Sequence, residues 1–161
     1  MIAYIPLISG NPTNLSVLWG FNYYGLIAVA IILIPNIVSA IVDKGSFENK
    51  CKNKLLNFCE QIGRYGCMIF IIFNVPFTYF GFWFNNALVV YLGVGGALLL
   101  VYVLGWVIFL KERSLAKTLL LSITPTVLFV FCGVTVLSIP LILCSVLFGI
   151  GHISVSIKNF G

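Results

Sequence analysis

His152 is the chain's one histidine, and it stands within an apolar run, in Gly149-Ile150-Gly151-His152. An ionisable side chain in hydrocarbon is costly and marks a functional site by default. An imidazole can also change charge near neutral pH. The plainer alternative is a neutral ring hydrogen-bonded to a carbonyl. Glu60 and Arg64 are spaced i, i+4, so they can pair on one helix face; the sharper reading is a charged gate or a clamp for an anionic headgroup. Asn36, Asn74, Ser122 and Thr124 are polar residues placed inside uncharged stretches. Together these seven residues form a candidate polar pocket.

Three prolines stand beside them. Pro35, Pro76 and Pro125 each fall inside an apolar run, next to Asn36, Asn74 and the pair Thr124 and Thr126. A proline in a helix removes one backbone donor and frees the carbonyl four residues earlier, here at Ile31, Ile72 and Leu121. In lipid a freed carbonyl must find another partner. The polar neighbours either repair these kinks and tie helices together, or line a cavity that the kinks open.

Other chemistry is poorly supported. The five cysteines, Cys51, Cys59, Cys67, Cys132 and Cys144, form no CxxC pair, and with one histidine they suggest no metal site and no cofactor. No HExxH, GxSxG, P-loop or GxGxxG is present. No pair of carboxylates falls inside an apolar run, which argues against acid–base catalysis or a carboxylate proton relay.

The elements that position these residues follow from composition. Hydrophobic residues make up 61% of the chain and charged residues 8%, with a mean hydropathy of +1.13. A soluble domain carries about 25% charged residues, so this surface must meet lipid. The net charge of +5 does not indicate nucleic acid, because the basic residues sit in short segments between apolar runs, as membrane insertion selects. Membrane lipid is the expected partner.

A span needs about 20 apolar residues. The expected fold is an all-α integral membrane bundle of about five transmembrane helices, at 17–42, 65–84, 87–110, 118–137 and 140–157. Asn85-Asn86 breaks the second run from the third, since Asn both tolerates left-handed backbone and caps helices. Ser138 and Pro140 open the fifth. That last run is short, and a re-entrant segment leaving four crossings is the alternative. The first run carries no cleavage signal and is expected to remain as an anchor. An Asn14-Leu15-Ser16 sequon lies too close to it to weigh.

The segment 45–64 reads as an amphipathic helix on the cytosolic face, with Phe47, Cys51, Leu55, Phe58, Cys59 and Ile62 sharing one side. Lys44, Lys50, Lys52, Lys54 and Arg64, then Lys111, Arg113 and Lys117, then Lys158 all fall on one side of a five-span bundle. The positive-inside rule makes that side cytosolic, with the N-terminus outside and the C-terminus inside. At 1.5 Å per residue, Asn36, His152 and Thr124 then lie roughly 9 Å from the cytosolic ends of their spans. Ser122 is shallower, Glu60 and Arg64 sit at the cytosolic mouth, and Asn74 is near mid-membrane. Gly93 and Ala97 form a small-xxx-small pair suited to helix packing or to a homo- or hetero-oligomer.

Two functions remain. The favoured one is a non-catalytic transport component or accessory membrane subunit, in the plasma membrane if the source is bacterial. The alternative is an integral membrane enzyme working on a lipid-like substrate at the cytosolic face, with His152 as base, Arg64 as anion clamp, and Asn36 and Thr124 orienting the substrate.

Overall fold

A computed structural model describes residues 21–42, 51–73, 78, 81–109 and 114–160. They form five α-helices: α1 (Tyr23–Val42), α2 (Lys54–Phe70), α3 (Ala87–Ile108), α4 (Leu115–Thr135) and α5 (Ile139–Phe160). α3, α4 and α5 are each long and apolar enough to cross a membrane, and Tyr23–Val38 of α1 adds a shorter apolar stretch. The chain is an integral, multi-pass membrane protein.

Its surface has the polarity that lipid demands. Ile41, Leu55, Val89 and Ile108 are each more than 60% exposed, while Asn22, Glu60, Ser122, Ser138 and Ser145 are buried. α2 makes the inversion plain. Its apolar residues Leu55, Phe58, Ile62, Tyr65 and Ile69 point outward, and its buried stripe is Glu60, Gly63 and Cys67.

The helices alternate in direction. Asn22 meets Tyr91 and Asn36 meets Tyr102, so α1 and α3 run parallel. Gly105 packs on Leu120 and Gly95 on Leu128, so α4 returns along α3. Gly133 packs on Ile142 and Gly149 on Thr126, so α5 returns along α4. α2 lies antiparallel to α5 over nearly the whole of both helices: Cys51 bonds Asn159, Glu60 meets His152, Gly63 packs on Phe148 and Gly66 on Cys144. Lys54, Lys117 and Lys158 thus share one end of the bundle.

Several boundaries depart from the sequence expectation. α1 starts at Tyr23 rather than 17; Phe21 pairs with Phe73 in an isolated bridge and Asn22 caps the helix through Gly25 N. The largest departure is α2. The expected surface helix 45–64 and the first part of the expected span 65–84 form one helix, capped at its start by Asn53, whose side chain accepts from Leu55 N and Leu56 N. It ends at Phe70, and Ile71–Phe73 and 81–84 are not helical. The charged turn at Glu60 and Arg64 does not stop the helix, because its charges are paired inside the bundle. Phe47 and the rest of 45–50 lie outside the described residues.

α4 begins earlier than expected, where the Ser114 hydroxyl accepts from Lys117 N. α5 has 22 residues rather than 18, long enough to cross and unlike a short re-entrant segment. Asn86, just ahead of α3, holds the left-handed conformation at φ 61°, the role that its residue type suggests. α4 and α5 are joined by a tight turn in which Leu137 has φ 53° and Ser138 N donates to Gly133 O. Pro35 and Pro125 sit inside helices that continue through them.

Candidate functional site

The close approach of α2 and α5 depends on glycine. A β-carbon on Gly63 would run into the backbone of Phe148, and one on Gly151 into the backbone of Glu60. With both positions bare, the helices come near enough for side chains one turn away to meet. Glu60 Oε1 accepts from Arg64 Nη2 on its own helix and lies 2.9 Å from His152 Nδ1 on α5. The Glu60 side chain is 7% exposed, against 22% for His152 and 36% for Arg64. A carboxylate at that distance selects the imidazole tautomer that carries its proton on Nδ1, leaving Nε2 as the acceptor. The ring is held flat against Phe148, with centroids 4.7 Å apart and planes 13° apart.

Along α2 at 1.5 Å per residue, Glu60 lies roughly 9 Å and Arg64 roughly 15 Å from Lys54. His152 lies roughly 12 Å from the end of α5 by the same measure. Asn36 joins α1 to α3: its Nδ2 donates to Tyr102 Oη at 3.0 Å and to Ile32 O at 2.9 Å. Arg64, Glu60 and His152 thus form one group between α2 and α5, and Asn36 and Tyr102 a second between α1 and α3.

Ser122 and Thr124 do not join it. Both are buried, but their hydroxyls donate to Thr118 O and Leu120 O in their own helix, each at 2.7 Å. Thr126 donates to Ser122 O. These bonds lie on either side of Leu121, the carbonyl that Pro125 frees, so they stiffen the kink region rather than face a ligand. Asn74 and Pro76 lie outside the described residues. Gly93 and Ala97 do not pack inside the bundle: both face outward, and nothing lies within 4 Å of a β-carbon built on Gly93.

Four residues of consequence escaped the sequence reading. Asn22 is fully buried; besides capping α1, its Nδ2 donates to Tyr91 Oη at 3.1 Å, and its backbone N donates to Ile72 O. It joins α1, the end of α2, and α3. The signal was there, since Asn is a preferred N-cap, but an expected helix start at 17 hid it. Tyr91 and Tyr102 looked like ordinary apolar-span aromatics, and nothing in their spacing names their partners. Trp106 follows Tyr102 by one turn, and its buried Nε1 has no hydrogen-bond partner among the described residues.

An open apolar cleft of about 200 Å³ lies between α1, α3 and α4, lined by Tyr24, Ala28, Tyr91, Gly95, Leu128 and Cys132 among others. It sits toward the Asn22 end, and the Asn36–Tyr102 bond separates it from the charged group. Among the described residues no three of His, Cys, Asp and Glu come together as a metal site. No protein family, curated protein or solved structure matches this chain.

Proposed function

We propose that this protein is a non-catalytic transport component, in which all five helices cross the bilayer and the Arg64–Glu60–His152 cluster is the site that a passing solute or ion meets. The observation that carries this is the burial of the Glu60 carboxylate between a guanidinium and an imidazole that are themselves partly open. A buried ion pair is weak evidence for stability, because apolar residues of similar volume often do as well or better. In a bilayer such groups are rarer still, and they mark ion and substrate pathways.

The N-terminus is outside and the C-terminus cytosolic in this reading, because Lys52, Lys54, Lys117 and Lys158 gather at one end. Catalysis is disfavoured by the hydroxyls of Ser122 and Thr124, which donate into their own helix and not toward His152. Five helices do not divide into matching halves. A second copy, docked through the exposed face of α3 that carries Gly93 and Ala97, would complete a two-fold transporter.

Thiol accessibility tests this. Asn36→Cys is placed in membrane vesicles of each orientation, treated with a membrane-impermeant methanethiosulfonate, and read by site-resolved mass spectrometry, so that the native cysteines stay in place. Modification from both faces is the expected result. No modification from either face would identify a dry scaffold and overturn the proposal. Modification from the cytosolic face alone would also overturn it, in favour of an enzyme that draws lipid-like substrate from that side.

A further inference from the structure

We propose that the cluster is a proton-linked oxyanion site, taking up one carboxylate- or phosphate-type monoanion together with one proton. This rests on reading the cluster as the site of passage and names its ligand. The first support is charge balance. Arg64 and Glu60 cancel, and His152 in its neutral form adds nothing, so the resting cluster is neutral. An anion alone would leave one net negative charge in the bundle interior, and a proton alone one net positive charge. Either state bears the desolvation cost of an unpaired charge. Proton and anion together restore neutrality.

The geometry gives each partner a place. The proton goes to His152 Nε2, since Nδ1–H already faces Glu60 Oε1 at 2.9 Å. The imidazolium then competes with Arg64 for the same carboxylate oxygen. Arg64 is tied to Glu60 through Nη2 alone; guanidinium has five donors and suits two-pronged binding of an oxyanion. On α3, Tyr102 Oη accepts from Asn36, so its own hydrogen remains to donate.

Among the described residues, the remaining charged and titratable groups around the cluster do not oppose an anion. Lys117 of α4 lies 5.8 Å from the Trp106 ring centre and adds positive potential. α1 contributes the uncharged Asn36. Among the described residues the α2–α5 seam adds the thiols of Cys51, Cys59, Cys67 and Cys144. Lys54 and Lys158 stand at the bundle end.

The test is calorimetric titration of the purified protein in uncharged detergent with lactate and with methanesulfonate, whose charges are constant between about pH 8 and about pH 5, where an imidazole ordinarily gains its proton. Affinity is expected to rise up to about tenfold per pH unit on acidification, with one proton taken up per anion, as reciprocal linkage requires. Arg64→Gln abolishes binding at every pH. Arg64→Lys keeps the charge but loses the two-pronged geometry and weakens binding about tenfold, which keeps the claim testable if the Gln variant does not assemble. His152→Gln binds without pH dependence and without proton uptake.

A short-chain phosphatidylglycerol is titrated in parallel. Displacement of lactate by it identifies a headgroup as the source of the anion; lactate binding that ignores it identifies a soluble one. Wild-type affinity that does not change with pH, or binding unchanged in both Arg64 variants, overturns the proposal. Proton-linked binding with Asn36→Cys labelled from one face alone would sink the transport reading and leave this site standing. Labelling from both faces with no anion binding would do the reverse.

Discussion

Gly151 of α5 lies against Glu60 of α2 so closely that a single added methyl group would collide with the Glu60 backbone. Gly151→Ala is therefore expected to push the two helices apart and to break the Glu60–His152 contact. Overpacking of this kind costs about 1–3 kcal/mol. Gly93→Ala, read on the monomer in detergent, is the control, because within one chain its β-carbon would meet open space and a surface change of this size stays within about 0.5 kcal/mol. Thermal unfolding in detergent compares the two: a clear loss for Gly151→Ala and little change for Gly93→Ala. Equal melting temperatures would contradict the close approach.

The ion pair gives a second expectation. Glu60→Gln leaves Arg64 without its carboxylate inside the bundle. Removing one partner of a buried pair costs about 3–5 kcal/mol; the lower end applies here because the Arg64 side chain is 36% exposed. Replacing both, with Glu60→Gln and Arg64→Gln together, restores a neutral interior and should be less damaging than Glu60→Gln alone. Denaturant titration of the two single variants and the double variant checks this, and additive losses would show that the two charges are not coupled.

The membrane character of the chain was legible because it depends on summed apolar area, which composition states directly. α3 and α5 were legible for a local reason: Asn86 and Ser138 each stand at a point where chain direction changes; α4 was legible because charged residues precede it, although its cap at Ser114 was not read. α2 was divided at Arg64 because charge was taken to mark a boundary between helices. Glu60 and Arg64 read simply as polar on hydropathy, and the third partner, His152 from 92 residues away, helps make the burial of Glu60 tolerable. Hydropathy has no term for a pair formed across the fold. The same gap hid Tyr102 behind Asn36, and it promoted Ser122 and Thr124, whose hydroxyls bond locally.

Asn22 carries the next expectation. It caps α1 through Gly25 N, at 3.2 Å, and bonds Tyr91 of α3 while fully buried. Loss of a cap costs about 0.5–2 kcal/mol, and an interhelical side-chain bond in a membrane protein adds about 0.6 kcal/mol on average. Asn22→Ala should thus lose more stability than Tyr91→Phe, which removes only the hydroxyl at the far end of that bond. A double-mutant cycle read by unfolding in detergent should give a coupling of about 0.6 kcal/mol, and a coupling near zero would remove Asn22 as a link between α1 and α3.

The path of α2 is the last expectation. Asn22 at the start of α1 touches Tyr91 near the start of α3, and the two helices run parallel. A chain that descends along α1 must come back before it can descend again along α3. α2 is the described helix between them, and its 17 residues span roughly 26 Å at 1.5 Å per residue, a little less than the hydrocarbon core of about 30 Å. Ile72 O accepts from Asn22 N, so α2 ends beside the start of α1, while Lys54 lies at the opposite end with Lys158. Lys54→Cys and Asn86→Cys should accordingly react with an impermeant thiol reagent from opposite faces of the membrane. Reaction from one shared face would lay α2 along the surface, lift Glu60 and Arg64 out of the bilayer, and leave the parallel course of α1 and α3 without a return.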